Sequence, residues 1–346
     1  MTPASSRFVS ALSLFALVSC GENTSPNPPN TAENDPALAS SFAATSNSWS
    51  LRATGPALLG TFAGTVPNSA GQWIVYVLGG TNDEGLNQVG PSFYNVSTNV
   101  WTSNGTPKVE VFSSNGVGRI RGLLYYSGGL AHVGTGSPEG DRRTFAYNSA
   151  TNQLIQKKSM PKVTAEGVTG VINDKLYVLP GYCDGTYWPD THYCDHSDFR
   201  RLLRYNPATD SWTNLNLAPH QHRRGAAGVI GGKFYVVGGI GSADLDVYDP
   251  ATVSWKTLAP MPTAGTAIGA VLGAELFVVS EEVGGALHAY EYNHNTNTWR
   301  MRAAPQWRHD TMLRVLVNGQ ARLIAVGGVH TGSTGQVGNP AELYTP

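Results

Sequence analysis

The sequence predicts an all-β protein built from six copies of a four-stranded unit. Its composition is the first reason: glycine and proline account for 40 and 21 of 346 residues, while charged residues make up only 14%. Such a composition favours short strands joined by turns over long amphipathic helices. The second reason is an internal repeat with a period of about fifty residues, which indicates a repeat architecture.

Each repeat contains a short apolar run that ends in a glycine pair or its remnant. The runs are VYVLGG, LYYSGG, LYVLPG, FYVVGG, LFVVSE and LIAVGG, ending at Gly80, Gly129, Gly181, Gly239, Glu281 and Gly328. An aromatic residue or isoleucine stands three positions before each pair, at Tyr76, Tyr125, Tyr177, Tyr235, Phe277 and Ile324. In GAAGVIGGKFYVVGG, Gly231 and Gly232 divide the segment into the two strands of a hairpin.

A second signal follows each run: a tyrosine, with a bulky residue seven positions later. The pairs are Tyr94 and Trp101, Tyr147 and Leu154, Tyr205 and Trp212, Tyr248 and Trp255, and Tyr292 and Trp299. Turn-forming Asn, Asp, Pro and Thr lie between them, so the tyrosine ends one strand and the bulky residue begins the next. Each repeat therefore has four strands. The sixth tyrosine, Tyr344, lies in AELYTP and has no such partner after it.

The glycine pair, tyrosine and tryptophan in this register resemble the kelch repeat from about Asn47 to Pro346. The resemblance implies a β-propeller, whose blades stand radially around a central channel. We therefore predict a six-bladed propeller over residues 45–346. We expect the strand around Trp49 to complete the last blade beside AELYTP, so that no strand edge stays open.

Residues 1–20 resemble an export signal, in which one arginine precedes an apolar stretch from Phe8 to Val18 that is too short to span a bilayer. LVSC, ending at Cys20, resembles the lipobox of bacterial lipoproteins, whose cysteine is acylated; an ordinary secretory signal is the alternative. Residues 21–44 are polar and rich in proline and asparagine, which predicts a disordered tether. The residue after Cys20 is Gly21 and not aspartate, which resembles lipoproteins sorted to the outer membrane when the source is Gram-negative. We expect a monomer held at the cell envelope through its lipid alone.

Two further cysteines, Cys183 and Cys194, lie in YCDGTYWPDTHYC. An exported protein meets an oxidising compartment, so the expected state is a disulfide. A metal site that also uses His192 and His196 is the alternative, but zinc ligands are usually more closely paired. We expect no metal and no cofactor.

In kelch propellers, the loops after the glycine pair and the crossover loops into the next innermost strand share the face around the channel mouth. The longest such loop here, 182–201, supplies candidate ligand-binding residues, namely Tyr182, Asp184, Trp188 and His192. Aromatic rings and charged groups of this kind suit a carbohydrate or peptide. The alternative is a structural flap over one end of the channel.

The crossover segments HQHRRG and QWRHD supply candidates at the rim, namely His220, His222, Arg223, Arg224, Trp307, Arg308 and His309. Glu166 and Arg224 each stand eleven residues before the aromatic residue that precedes the glycine pair, in the third and fourth blades, which are neighbours. Arginine guanidinium groups could bind an anionic sugar or carboxylate through paired hydrogen bonds. An arginine at the start of the inner strand is also common in the kelch pattern, so a structural role for Arg224 and Arg308 is the alternative.

A net charge of −1 and the lack of a basic run argue against a nucleic-acid partner. Galactose oxidase also has a kelch propeller, but its copper site uses a tyrosine followed by a histidine, and no tyrosine here precedes one. Periplasmic sialic-acid mutarotases are similar six-bladed kelch propellers, for which Glu166 with Arg223 or His220 could supply an acid–base group and an anion clamp. No catalytic constellation is recognisable. We therefore expect a non-catalytic module that binds a protein or glycan through its loop face, with a mutarotase as the alternative.

Overall fold

The computed structural model describes residues 47–82, 90–131, 139–182, 198–332 and 335–346. In these ranges, twenty-six β-strands and one short 3-10 helix, Asp198–Arg200, make up the regular structure. The strands form six four-stranded sheets and one two-stranded sheet. The described part of the chain contains no helix that is long and apolar enough to cross a membrane. The predicted all-β, six-bladed architecture is confirmed.

Five blades are four-stranded antiparallel meanders that run in chain order from the channel outwards. Blade 1 contains β2 (Phe62–Pro67), β3 (Trp73–Leu78), β4 (Ser92–Asn95) and β5 (Val100–Ser103). Blade 2 contains β6 (Val117–Ile120), β7 (Leu123–Ala131), β8 (Glu139–Asn148) and β9 (Gln153–Lys157). Blade 3 contains β10 (Val168–Ile172), β11 (Lys175–Leu179), β12 (Arg201–Asn206) and β13 (Ser211–Leu217). Blade 4 contains β14 (Ala226–Ile230), β15 (Lys233–Val237), β16 (Leu245–Asp249) and β17 (Ser254–Thr257). Blade 5 contains β18 (Thr266–Leu272), β19 (Glu275–Glu281), β20 (Leu287–Asn293) and β21 (Thr298–Arg302).

Blade 6 joins the two ends of the propeller. It consists of β22 (Thr311–Val317), β23 (Gln320–Val326), β26 (Pro340–Thr345) and, as its outermost strand, β1 (Ser48–Thr54). Trp49 lies opposite Tyr344 in the antiparallel pairing of β1 with β26. The predicted closure is therefore confirmed. A separate hairpin, β24 (Val329–Gly332) with β25 (Gly335–Gly338), stands between β23 and β26.

The strand-ending tyrosines are buried and share one hydrogen-bond pattern. In most blades the hydroxyl group donates to an Asn or Asp five positions later, as in Tyr94 to Asn99 (2.8 Å), Tyr147 to Asn152 (2.9 Å), Tyr205 to Asp210 (2.5 Å) and Tyr292 to Asn297 (2.7 Å). In blade 6 the Tyr344 hydroxyl donates to Asn47 over 2.9 Å. Asn47 stands two residues before Trp49, as Asn99 does before Trp101. Blade 6, which joins the two ends of the propeller, therefore has the same tyrosine hydrogen bond as the blades that are built from one continuous segment.

Glycines on the innermost strands allow neighbouring blades to pack closely. Gly64, Gly118, Gly170 and Gly228 lie opposite Tyr76, Tyr125, Tyr177 and Tyr235 in the strand pairings. A Cβ atom on Gly170 would lie 2.6 Å from the Phe234 ring of the next blade, much closer than non-bonded carbons approach. The side chains of the next blade occupy this space, which brings the inner strands together around a narrow channel.

Candidate binding site at the channel mouth

The two predicted sets of loops meet on one face. Isolated bridges join crossover residues to residues that follow a glycine pair, namely Leu59 to Thr81, Phe112 to Leu130 and Ala165 to Tyr182. A cavity of about 340 Å³ extends from this face between the six inner strands. We call its open end the mouth.

A run of backbone hydrogen bonds links the blades around the mouth. Ser113 N–H donates to the Gly60 carbonyl (2.7 Å), Glu166 N–H to Ser113 (2.9 Å) and Arg224 N–H to Glu166 (2.8 Å). Ala267 N–H then donates to the Arg224 carbonyl (2.8 Å). These contacts join blades 1 to 5 in order, so they fix the relative positions of the side chains at the mouth.

Four of the five residues that make these contacts share an unusual backbone conformation. Gly60, Ser113, Glu166 and Arg224 have φ values of 63°, 49°, 53° and 57°. This left-handed region costs a non-glycine residue about 1–2 kcal/mol. The side chains of Ser113, Glu166 and Arg224 all belong to residues that line the cavity. Strained residues of this kind cluster at functional sites, which makes the mouth the leading candidate.

Glu166 and Arg223 form an ion pair across the boundary between blades 3 and 4. Arg223 Nε lies 2.5 Å from Glu166 Oε2, and the two side chains are 35% and 13% exposed. The Arg223 guanidinium also lies over the Tyr182 ring, with its carbon 4.1 Å from the ring centre. A cation above an aromatic face is attracted to it. Tyr182, which was predicted in a separate loop, therefore forms one contact cluster with the predicted pair of Glu166 and Arg223.

Arg224 differs from its neighbour. Its side chain is exposed and the residue lines the cavity. Within the described ranges no carboxylate forms an ion pair with it, whereas Arg223 and Arg308 each have one. Arg224 is thus a guanidinium at the mouth whose described contacts leave its hydrogen-bonding groups available to a ligand.

A second charged cluster lies where blades 5, 6 and 1 meet. Arg308 Nε is 2.7 Å from Glu281 Oε2. One carboxylate oxygen of Asp310 accepts hydrogen bonds from the Thr61 N–H (3.0 Å), the Thr61 hydroxyl (2.9 Å) and the Gly328 N–H (3.1 Å). Glu281, Arg308 and Asp310 line the cavity. The side chain of Asp310 therefore replaces, between blades 6 and 1, the backbone contacts found elsewhere.

The structure corrects the prediction for His222. Its side chain is fully buried, with Nδ1 2.8 Å from the Gly238 carbonyl and Nε2 3.1 Å from Asp246 Oδ2. Burial alone would raise the pKa of Asp246, but hydrogen bonds from His222 and Thr257 hold it below its usual value. His222 therefore stabilises blade 4 from within and does not reach a ligand.

His309 has the same role in blade 6: the residue borders the cavity, but its side chain is buried, so the prediction that it binds a ligand is corrected for the same reason. Its Nε2 lies 2.9 Å from Glu342 Oε2, and its side chain has no exposure. The pKa of Glu342, which burial would raise, is held below its usual value by hydrogen bonds from His309 and from the Gln306 and Trp307 N–H groups. Asp246 and Glu342 each stand two residues before the strand-ending tyrosine.

His220 and Trp307 lie outside the cavity lining. His220 Nδ1 is 3.1 Å from Asp246 Oδ2, and its side chain is 38% exposed. This contact holds His220 against blade 4, whereas Glu166, its predicted catalytic partner, pairs with Arg223. The Trp307 ring packs against His330 with 4.4 Å between ring centres. Neither residue joins the clusters at the mouth.

The remaining predicted residues lie outside the described ranges: Cys20, Cys183, Asp184, Trp188, His192 and Cys194. The lipidation site, the disulfide and the body of the 182–201 loop therefore stay predictions. Among the described residues, no group of three or more His, Cys, Asp or Glu side chains is arranged to hold a metal ion.

Sequence reasoning missed Ser113, Glu281 and Asp310. Glu166 and Arg224 both stand eleven residues before the aromatic residue that precedes the glycine pair, because blades 3 and 4 share the same short first hairpin. The position four residues before the inner-strand glycine is occupied by Gly60, Glu166 and Arg224 in blades 1, 3 and 4, and in blade 2 it lies one residue beyond Ser113. The inner-strand glycines thus carry a better signal for the mouth.

Comparison with known proteins agrees with this architecture. Residues 221–262 match the Kelch motif, and this range covers blade 4. The solved structure of YjhT matches with a TM-score of 0.61 and 18% identity, over 84% of this chain and 96% of that one. The protein is a six-bladed β-propeller with a Kelch motif in blade 4.

Curated relatives with kelch in their names are longer than this chain. A Kelch-like protein, terF, of Aspergillus terreus is 27% identical over 70% of this chain and 55% of its own length. A putative F-box/kelch-repeat protein of Arabidopsis thaliana is 32% identical over 36% of this chain and 31% of its own length. Human Kelch-like protein 23 is 24% identical over 57% of this chain and 33% of its own length. The chain thus spans about a third to about half of these relatives.

Proposed function

We propose that this kelch propeller is a non-catalytic binding module that recognises an acidic sugar, or the acidic end of a glycan, at the channel mouth. The observation that carries the proposal is Arg224: an exposed guanidinium that lines the cavity from a strained backbone position. Backbone strain of about 1 kcal/mol or more persists where the surrounding structure holds the residue in place, and such residues cluster at ligand-binding sites.

The rest of the mouth suits such a ligand. The cavity of about 340 Å³ is at the lower end of the range of small-molecule sites, which matches a monosaccharide. Arg224 would bind the carboxylate through paired hydrogen bonds. Ser113, Glu166 and Asp310 line the same cavity and carry oxygen atoms that can accept hydrogen bonds from sugar hydroxyls.

The test is isothermal titration of the purified protein with N-acetylneuraminic acid and glucuronic acid, and with N-acetylglucosamine and glucose as neutral comparisons. We expect saturable binding of an acidic sugar only. Arg224→Gly should weaken it by at least about tenfold, since hydrogen bonds to charged groups contribute 1.5–3 kcal/mol.

Arg121→Gly is the matched control. Arg121 is also an arginine in the left-handed region, with φ 49°, but it lies on the hairpin turn of blade 2 with a 70% exposed side chain and pairs with Asp174. This variant should bind like the wild type. Binding of acidic peptides without binding of acidic sugars would assign the mouth to a protein partner, a role typical of kelch propellers.

The proposed location is the bacterial cell envelope, with a lipid on Cys20 as the only membrane anchor. Its support is the LVSC motif and the polar segment that follows it. More than one acyl chain is needed for stable anchoring. Metabolic labelling with a fatty acid tests this, because Cys20→Ser should abolish incorporation of label and release the protein from membranes. Label that persists in the variant would contradict the proposal.

A second candidate function is sugar mutarotation, which the Glu166–Arg223 contact favours. The Glu166 carboxylate, 2.5 Å from the Arg223 guanidinium beside the cavity, could take the proton of an anomeric hydroxyl and return it to the ring oxygen as the bond between that oxygen and the anomeric carbon breaks, while an arginine holds the substrate's acid group. Proton NMR of anomer exchange tests it. Acceleration by the wild type that Glu166→Gln abolishes would establish catalysis, and unchanged anomer exchange would leave binding alone.

A further inference from the structure

Trp307 differs from the other tryptophans that the structure describes. These pack into hydrophobic clusters of the blades, namely Trp49, Trp73, Trp101, Trp212, Trp255 and Trp299. Trp307 is absent from those clusters of described residues and stands outside the repeated spacing of tyrosine and tryptophan. Its Nε1–H is buried and has no acceptor within the described ranges, although most buried polar groups are hydrogen-bonded. Blade packing therefore does not account for this side chain.

The Trp307 ring packs instead against the imidazole of His330. The ring centres are 4.4 Å apart and the ring planes are inclined by 34°. Trp307 belongs to the crossover that leads into blade 6, where its N–H donates to Glu342 Oε2 over 2.9 Å, and His330 belongs to β24. Both residues are partly exposed. We call Trp307 and His330 the rim pair.

Hydrogen bonds hold the His330 imidazole in one tautomer. Asn339 is only 3% exposed and donates its side-chain N–H to the Arg308 carbonyl, so its Oδ1 atom faces His330. His330 Nδ1 lies 2.9 Å from that oxygen. An amide oxygen can only accept, so Nδ1 carries the proton, and Nε2 of the neutral ring is an acceptor. No described residue bonds to Nε2, so the rim pair presents an aromatic ring beside a free acceptor.

The rim pair stands beside the mouth. Trp307 immediately precedes Arg308, which lines the cavity, and Asn339 connects His330 to the Arg308 carbonyl. Neither member of the pair is among the described residues that line the cavity itself. A ligand that fills the mouth and continues past Arg308 therefore reaches the rim pair.

We propose that the rim pair is a second sugar subsite, which binds an uncharged sugar of a glycan whose acidic end lies at the mouth. The apolar C–H face of this sugar packs on the Trp307 ring, and one of its hydroxyl groups donates to His330 Nε2. The pair offers no guanidinium or ammonium group to an anion, so it suits an uncharged sugar better than a second acidic one. This inference rests on the proposed function and makes its ligand an oligosaccharide.

The test is isothermal titration with N-acetylneuraminic acid and with sialyllactose, in which the same acidic sugar is followed by galactose and glucose. Glucuronic acid and its trisaccharide with two glucose residues form a parallel pair. For the acidic sugar that binds, we expect its trisaccharide to bind at least about tenfold more tightly than the sugar alone, because a hydrogen bond and a ring contact are added. Trp307→Ala should remove most of this gain and His330→Ala part of it.

His294→Ala is the matched control. His294 is exposed and its Nδ1 also lies 2.9 Å from an amide oxygen, the Ala274 carbonyl, but it stands in the turn between β20 and β21, at the end of blade 5 away from the mouth. This variant should show the full gain. Trp307→Phe keeps a ring against His330 and should retain part of the gain, and melting temperatures establish that all variants are folded.

Nitrogen-15 NMR of the imidazole gives a second measurement. The His330 Nε2 signal, assigned by its loss in His330→Ala, should have the chemical shift of an unprotonated nitrogen. It should move when the trisaccharide is added and stay in place when the acidic sugar alone is added. A protonated Nε2 that does not respond to the trisaccharide would contradict the inference.

The titrations separate this inference from the proposed function. If the acidic sugar and its trisaccharide bind equally well to the wild type, the rim pair is no subsite and the mouth alone binds one sugar. If the gain persists in the double variant Trp307→Ala with His330→Ala, the second sugar lies elsewhere and the inference is overturned. If no acidic sugar and no trisaccharide binds, the proposed function fails and this inference fails with it.

Discussion

The backbone N–H of Arg224 donates to the carbonyl of Glu166 over 2.8 Å, so two charged residues from neighbouring blades stand side by side at the channel mouth. Both are in the left-handed region, and both line the cavity. The contact belongs to a run of backbone hydrogen bonds that joins five blades. A scaffold that also holds the propeller together therefore positions the candidate binding residues.

Arg224→Gly should leave the fold intact. Relief of backbone strain and the greater entropy of unfolded glycine oppose each other, so the free energy of unfolding should change by less than about 1 kcal/mol. Arg121→Gly should change it as little, for the same reason. Urea denaturation measures both. A loss of several kcal/mol in Arg224→Gly alone would assign Arg224 a structural role and remove the argument from strain.

The seam between the termini should contribute measurably to stability. Trp49 is partly buried against Phe277 and Tyr344, and its Nε1–H donates to the Ala303 carbonyl over 2.7 Å. Trp49→Ala should lower the free energy of unfolding by about 2–4 kcal/mol, somewhat below the range for a fully buried tryptophan. Asn47→Ala, which removes the partner of Tyr344, should lower it by about 1–2 kcal/mol.

Ser48→Ala is the control for the seam because Ser48 is an exposed residue of the same strand. It should unfold at the wild-type urea concentration. If Trp49→Ala did so too, β1 would contribute nothing to the propeller in solution, contrary to its pairing with β26.

The buried histidines should be needed for stability and not for ligand binding. His222→Ala would leave the Asp246 carboxylate buried with one partner fewer, so we expect a loss of about 3–5 kcal/mol. His220→Ala, which removes a partly exposed partner of the same carboxylate, should cost less than about 1 kcal/mol. Thermal and urea unfolding distinguish the two. Equal losses would contradict the separation of the buried residue from the exposed one.

Glu275 should make stability depend on pH near neutrality. Burial and the adjacent Glu291 raise the pKa of Glu275 to about 7. The folded protein therefore binds this proton more tightly than the unfolded chain does. The stabilising contribution is fully present below the ordinary value near 4.5 and is lost as the pH rises through about 7.

Arg300 and Arg302 contact Glu291, which keeps it the ionised member of the pair. Glu275→Gln removes the titrating group, so its melting temperature should fall less than that of the wild type between pH 6 and pH 8, two values on either side of the pKa of about 7. If Glu275 instead made the wild-type protein more stable as the pH rises over this interval, the prediction would be contradicted.

The sequence was sufficient for most of the fold. The spacing of Tyr344 and Trp49 predicted blade closure because one register is repeated in the other blades. The role of Asn47 as the hydrogen-bond partner of Tyr344 was not predicted, because Asn47 lies before the first strand and has no tyrosine near it in sequence. Only the pairing of β1 with β26 brings it to the Tyr344 hydroxyl.

The candidate site was predicted less completely. His222 and Arg223 are adjacent in sequence, but one points into blade 4 and the other to Glu166. The composition and spacing of a crossover segment do not show in which direction each of its side chains points. Pairs within the repeats do carry a signal: an acid two residues before the tyrosine occurs in the two blades whose crossover histidine is buried, at Asp246 and Glu342.

A structure of the protein with a bound acidic sugar tests the central claim most directly. The account predicts ligand density at the mouth of the channel, with the carboxylate within about 3 Å of the Arg224 guanidinium and the sugar hydroxyls facing Glu166 and Asp310. Density on the outer strands of the blades, with the mouth empty and Arg224 turned to solvent, would contradict it.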